Sequence, residues 1–174
     1  MKRLPELPSE LKALATATLI FAGLSVLMGF AYIVASHQGA SSSYVIGPSD
    51  IAALYTGPGV SMVTLISLAH IHLLGLLAVF SIVGFIFVHS TLSSGWKSFW
   101  SVLPYAAFLV DVSGWFLTKM IGPGFVYLVI VGGATFILAL AAMILMSLYE
   151  IWIAPIGASR PKETVLQARM ASPR

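Results

Sequence analysis

This chain predicts an all-α integral membrane protein, a four-helix bundle with both termini in the cytoplasm. Three observations carry that expectation. Four apolar runs, at about Leu14–Ala35, Met62–Val88, Trp100–Met120 and Phe125–Ile153, each exceed the roughly 18 residues that mark a membrane span. Only 9% of the 174 residues are charged and 59% are hydrophobic, where soluble domains carry about 25% charged residues. The basic residues are also placed unevenly. Lys2, Arg3 and Lys12 precede the first run, Lys97 lies between the second and third, and Arg160, Lys162, Arg169 and Arg174 follow the fourth. The connection from Ser36 to Ser61 has no Lys or Arg, so the positive-inside rule puts it outside and both termini inside.

The elements follow in chain order. Residues 1–13 form a cytoplasmic segment, in which Leu4 to Lys12 mixes charges with leucines as a short interfacial helix does. Residues 14–153 make up the membrane domain, with an outer loop at 36–61, and residues 154–174 form a polar cytoplasmic tail expected to be poorly ordered. Span one carries Gly23 and Gly29 and ends near the interfacial Tyr32. Within the outer loop, Asp50 and Ile51–Thr56 read as a short amphipathic surface helix capped by Ser49 or Asp50. Gly57-Pro58-Gly59 breaks the chain before span two. Ser93–Gly95 is read as a tight inner turn, and Pro104 falls early in span three, where proline is tolerated. Gly122-Pro123-Gly124 is so short a turn that spans three and four must be antiparallel neighbours. The N-terminal apolar run is too long for a cleaved signal peptide, and no small-residue cleavage site follows it.

Composition also excludes several functions. The net charge of +3 sits on the cytoplasmic flanks and reads as topology, with no call for nucleic acid as a partner. Lys119, the one basic residue on the far side, lies at an interface where it can snorkel. The absence of cysteine excludes disulfides, iron–sulfur ligation and thioether-linked haem. A multi-pass protein of the bacterial inner membrane, with the lipid bilayer as its solvent, is the expected setting.

Polar residues inside the spans are the candidates for function, because an ionisable group in hydrocarbon costs free energy unless something satisfies it. His70 lies about 12 Å and His72 about 15 Å along span two, and Asp111 about 13 Å from the same face on span three. Met28 of span one and Gly132-Gly133 of span four share that level. The small residues either let helices approach closely or leave room for a flat prosthetic group. The two histidines are about 200° apart on a helical wheel, so one of them faces a given partner. His72 shares its side with Gly75, which leaves space beside the ring, and is the preferred ligand, with His70 second. Asp111 is read in three ways: as a hydrogen-bond acceptor for the far nitrogen of a ligating histidine, as a direct metal ligand or relay group, or as a structural polar contact. His89 and Glu150 form a second level near the inner face, where a structural role is expected. His37 lies in the outer loop.

Ala69-His70-Ile71-His72-Leu73-Leu74-Gly75 resembles the Ala-His-x-His-Leu-x-x-Gly segment of small membrane proteins related to haem–copper oxidase subunit I and nitric oxide reductase large subunits. The similarity continues loosely through Phe80, Gly84 and Phe87. It implies a haem ligand at His70 or His72, with periplasmic c-type cytochromes or a respiratory complex as partners. All three membrane histidines lie on one helix, so the chain lacks a copper-site cluster and reduction of oxygen by it alone is not expected. The second axial position falls to Met28, to another protomer or to a partner chain.

These readings converge on a non-catalytic subunit of an oxidoreductase complex. It would bind haem b through His72 or His70, with Asp111, Met28, Gly75, Gly132 and Gly133 around the group. It would transfer electrons or anchor a periplasmic redox partner, alongside other membrane subunits or further copies of itself. Two alternatives stand beside it: a cofactor-free accessory or assembly subunit, and a copper or zinc site formed by His70, His72 and Asp111.

Overall fold

The computed structural model describes residues 3–40, 46–57 and 60–154, and for residues 33 and 36–40 it describes the backbone only. Five α-helices and two short 3-10 turns account for nearly all of it, and no strand occurs among the described residues. Four of the helices contain segments long and apolar enough to cross a membrane, at Ser9–Tyr32, Met62–Phe87, Ser94–Met120 and Pro123–Trp152. The expected all-α membrane fold is therefore present. Four crossings also bring the start of α1 and the end of α5 to the same end of the bundle.

The first helix, α1, spans Ser9–Ala40 and starts earlier than the apolar run suggested. Lys12 sits in its opening turns rather than in a separate interfacial helix, and the chain before it makes a single 3-10 turn at Leu4–Glu6. Ala15, Leu19 and Ala22 are buried, a stripe at helical spacing that packs on the rest of the bundle. A short helix, α2, spans Pro48–Thr56. Its start differs from the expected cap. Pro48 occupies the first helical position, where its missing N–H costs nothing. Asp50, inside the first turn, reaches back to accept the Gly47 N–H at 2.8 Å.

Helix α3 spans Met62–Phe87 and is capped by Ser61, whose hydroxyl accepts the Thr64 N–H at 3.1 Å. Helix α4 spans Ser94–Met120, six residues longer at its start than the apolar run. Trp96, Lys97 and Phe99 mix polar and aromatic character, as interface residues do, and the helix continues through them. Ser94 and Gly95 are therefore helical, and the turn lies just before them. Pro104, ten residues in, is buried well inside the helix rather than near its start. A 3-10 turn at Pro123–Phe125 then leads into α5, Val126–Trp152.

The antiparallel α4 and α5 form the tightest pair, and glycine is the reason. A Cβ on Gly132 would stand 2.6 Å from the Asp111 backbone N and 2.8 Å from the Ala107 carbonyl oxygen. One on Gly114 would stand 2.9 Å from the Val129 N. The two backbones cross in direct contact at a level no larger residue could occupy. Midway along the bundle Phe80, Tyr105, Phe108 and Phe136 interlock, with ring centroids 5.3 to 6.0 Å apart. Most contacts in this layer are edge-to-face, the arrangement that ring quadrupoles favour. This aromatic layer divides the bundle into an α2 end and an end formed by residues 88–93. The loop at 36–61 is described only in part, with residues 41–45, Pro58 and Gly59 outside the described residues, as are residues 155–174 of the tail.

Candidate functional site

At the α2 end a cluster forms around Trp115. The indole lies on the inward stripe of α4, one turn after Asp111, and both residues are 5% exposed. The Trp115 Nε1–H donates to Asp111 Oδ1 at 3.2 Å. On one side Tyr55 of α2 stacks on the indole, with centroids 5.7 Å apart and planes at 21°. On another side the His72 ring meets it edge-on at 5.4 Å. Burial pushes the Tyr55 phenol well above its ordinary value, and the neighbouring Asp111 carboxylate acts in the same direction. The surface helix α2 is thus docked on the bundle through the Tyr55–Trp115 stack, together with Ile51 and the buried Ala52.

His72 is oriented by its own helix. Its Nδ1 lies 2.9 Å from the Leu68 carbonyl oxygen. A carbonyl only accepts, so in a neutral ring Nδ1 carries the proton and the lone pair is on Nε2. The ring is exposed, and one turn further on a Cβ at Gly75 would meet nothing within 4 Å. Metal-ligating histidines commonly hold their other ring N–H on a backbone carbonyl in this way.

The structure brings together His72, Asp111, Gly132 and Gly133 but changes three of their expected roles. Asp111 does not serve the far nitrogen of His72, because the Leu68 carbonyl already does; the carboxyl reaches the histidine only through Trp115. Gly132 leaves no room for a flat group, because the α4 backbone fills the space beside it. Gly133 makes ordinary contact with Asp111, 3.7 Å from Oδ1 to a Cβ built there. Two candidates stand apart from the cluster. His70 shares a face of α3 with Val63, Ile66, Leu74 and Leu77, all exposed. Met28 is 66% exposed, on the side of α1 away from the Ala15–Leu19–Ala22 stripe. Among the described residues no three His, Cys, Asp or Glu side chains converge as a metal site. The helical twist between His70 and His72 is the reason.

The opposite end has a different design. Glu150, near the end of α5 and 7% exposed, accepts the Thr91 N–H at 2.7 Å and the Thr91 hydroxyl at 2.8 Å. The carboxylate fastens the α3–α4 turn. The His89 carbonyl accepts the Leu4 N–H at 2.9 Å, which pins the N-terminal turn over the same end. The His89 ring packs against Phe85. The Trp152 indole N–H donates to the Thr16 hydroxyl at 2.9 Å and ties α5 to α1.

Trp115 and Tyr55 are the site residues that sequence reasoning passed over. Trp115 had a usable signal, since it follows Asp111 by four residues and faces the same way. Tyr55 had none, because its role depends on where α2 folds back.

Fold and site together define a helical membrane domain with a polar cluster near one face. A family model for a transmembrane helical domain, Aq_1264_TM, matches residues 46–158, and the chain belongs to this family. The matched segment contains α2 to α5, the helices that build the Trp115 cluster. No curated protein and no solved structure matches the chain.

Proposed function

We propose that the chain is a haem-b-binding subunit of a membrane redox complex. In this reading it passes electrons, or anchors a periplasmic redox partner such as a c-type cytochrome, in a bacterial inner membrane. One observation carries the reading: the exposed ring of His72, with Nδ1 held on the Leu68 carbonyl so that the lone pair is on Nε2. When bound there, haem supplies reversible one-electron chemistry. The Leu68 carbonyl fixes the tautomer of His72 and makes the ring more basic. Trp115 backs the imidazole and keeps water from that side, and Asp111 holds Trp115 in place through the indole N–H. Among the described residues His72 is the one that would hold the group, because Met28 and His70 both lie away from the cluster.

The visible spectrum of the purified protein, oxidised and then reduced with dithionite, tests the reading. Sharp b-type bands in the reduced protein that vanish in His72→Ala and persist in His89→Ala are the expected result. A featureless spectrum in protein expressed with ample haem overturns it. The cofactor-free alternative would then stand, with the His72–Leu68 and Trp115–Asp111 bonds as purely structural contacts.

A further inference from the structure

His70 poses a separate question. It lies about 12 Å along α3 from Met62, its side chain is exposed, and no hydrogen-bond partner for its ring occurs among the described residues. Its neighbours on that face are apolar, with Val63 73%, Leu74 58% and Leu77 50% exposed. The nearby Ser67 is also exposed. An unsatisfied polar ring in hydrocarbon is costly. His72, two residues on, avoids that cost through Leu68, but His70 does not. Among the described residues, nothing on this face meets it.

We propose that this face of α3 is the interface of a homodimer, with His70 pairing across a two-fold axis with His70 of a second copy. The argument is complementarity. A two-fold interface sets each residue near its own counterpart, so a polar group on the axis must be able to bond to itself. Neutral imidazole has one N–H donor and one lone-pair acceptor, and two identical rings make an N–H···N bond. The Ser67 hydroxyl has the same dual character. Lys, Arg or an ionised carboxylate at this position would repel its copy, and the face carries none of them. This proposal is independent of the haem reading, because His72 points to another side of the helix.

The test uses the full chain in detergent and in lipid nanodiscs. Mass measurement should give two copies per particle. The chain has no cysteine, so Ser67→Cys and Leu74→Cys, which both keep His70, should cross-link into dimers under mild oxidation. Leu138→Cys, on the exposed face of α5, should not. His70→Leu should raise the dimer dissociation constant about three- to twentyfold, the range that single interhelical hydrogen bonds span in bilayers. His70→Asn, which keeps both a donor and an acceptor, should retain the dimer. The proposal is overturned by a monomer at every concentration, by cross-linking at 138 in place of 67 and 74, or by a His70→Leu dimer of unchanged strength. Recovery of the chain bound along α3 to a different protein, with no self-association, also overturns it.

Discussion

The two ends of this bundle each bury a carboxylate, and they use it differently. Glu150 accepts two hydrogen bonds from Thr91, one from the backbone and one from the hydroxyl, and closes a turn. Asp111 accepts one bond, from an indole that in turn touches a histidine and a surface tyrosine. A carboxylate used to fasten a loop is saturated by the groups it fastens. One used to hold an aromatic ring in place keeps acceptor capacity and sits next to groups that can interact with something else. The Glu150 end therefore closes a turn, while the Asp111 end positions an aromatic cluster.

The largest effect should come from Glu150→Ala. It leaves the Thr91 N–H without its acceptor, and a buried unsatisfied group costs about 1–3 kcal/mol, more when the lost partner is charged. Thermal unfolding in detergent should fall clearly, with the spectrum of any bound group intact in the folded fraction. Gly132→Val tests the other end's scaffold. Overpacking costs about 1–3 kcal/mol, and here the added carbon meets backbone atoms at 2.6 and 2.8 Å. This variant should lose stability and disturb the Asp111 cluster together. If Gly132→Val is silent, the close α4–α5 crossing is not what positions Asp111.

Trp115→Leu should be milder. Stacked and edge-on aromatic pairs contribute about 0.5–1.5 kcal/mol beyond burial, so α2 should exchange its amide hydrogens faster while α3 to α5 stay protected. Equal protection of α2 in both proteins would remove Trp115 as its anchor. The smallest stability change is expected from Asp111→Asn, whose side-chain oxygen still accepts the indole N–H. It should alter the redox potential of a bound group, or the indole fluorescence, more than the unfolding temperature. The reverse pattern would make Asp111 a second fastener and erase the contrast between the two ends.

Tyr55 gives the comparison a pH axis. Burial and the neighbouring Asp111 push its phenol above the ordinary value of 10.0. In the unfolded or undocked chain the phenol ionises near that ordinary value, so the docked form holds its proton longer. The stabilisation from the raised value is fully present below pH 10.0 and is lost as pH rises toward the docked value. Protease sensitivity of α2 should therefore rise above that pH in the wild type. Tyr55→Phe, which keeps the ring and has no proton to lose, should flatten the rise.

How much of this was legible in the chain follows from which contacts are local. Apolar runs located the four spans because a membrane demands them. The start of α4 was missed because Trp96, Lys97 and Phe99 interrupt the run without interrupting the helix. The wheel separation of His70 and His72 is a local property, and the structure keeps it, with only His72 in the Trp115 cluster. The Leu68 carbonyl bond is also local, four residues back, yet nothing in the residue types distinguishes it from an open ring nitrogen. Glu150 and Thr91 are 59 residues apart, and Tyr55 and Trp115 meet only because α2 folds onto the bundle. Shared depth brought Gly132 into the candidate site, but depth alone does not say whether a glycine faces an opening or another backbone.

The aromatic layer of Phe80, Tyr105, Phe108 and Phe136 has a consequence for the two buried carboxylates. The rings interlock across the middle of the bundle, and the hydroxyl among them, on Tyr105, is engaged with the Ser81 hydroxyl at 2.9 Å. Glu150 and Asp111 are therefore held on opposite sides of a packed aromatic partition, so that a change in one end's hydrogen bonds reaches the other only through the helices themselves.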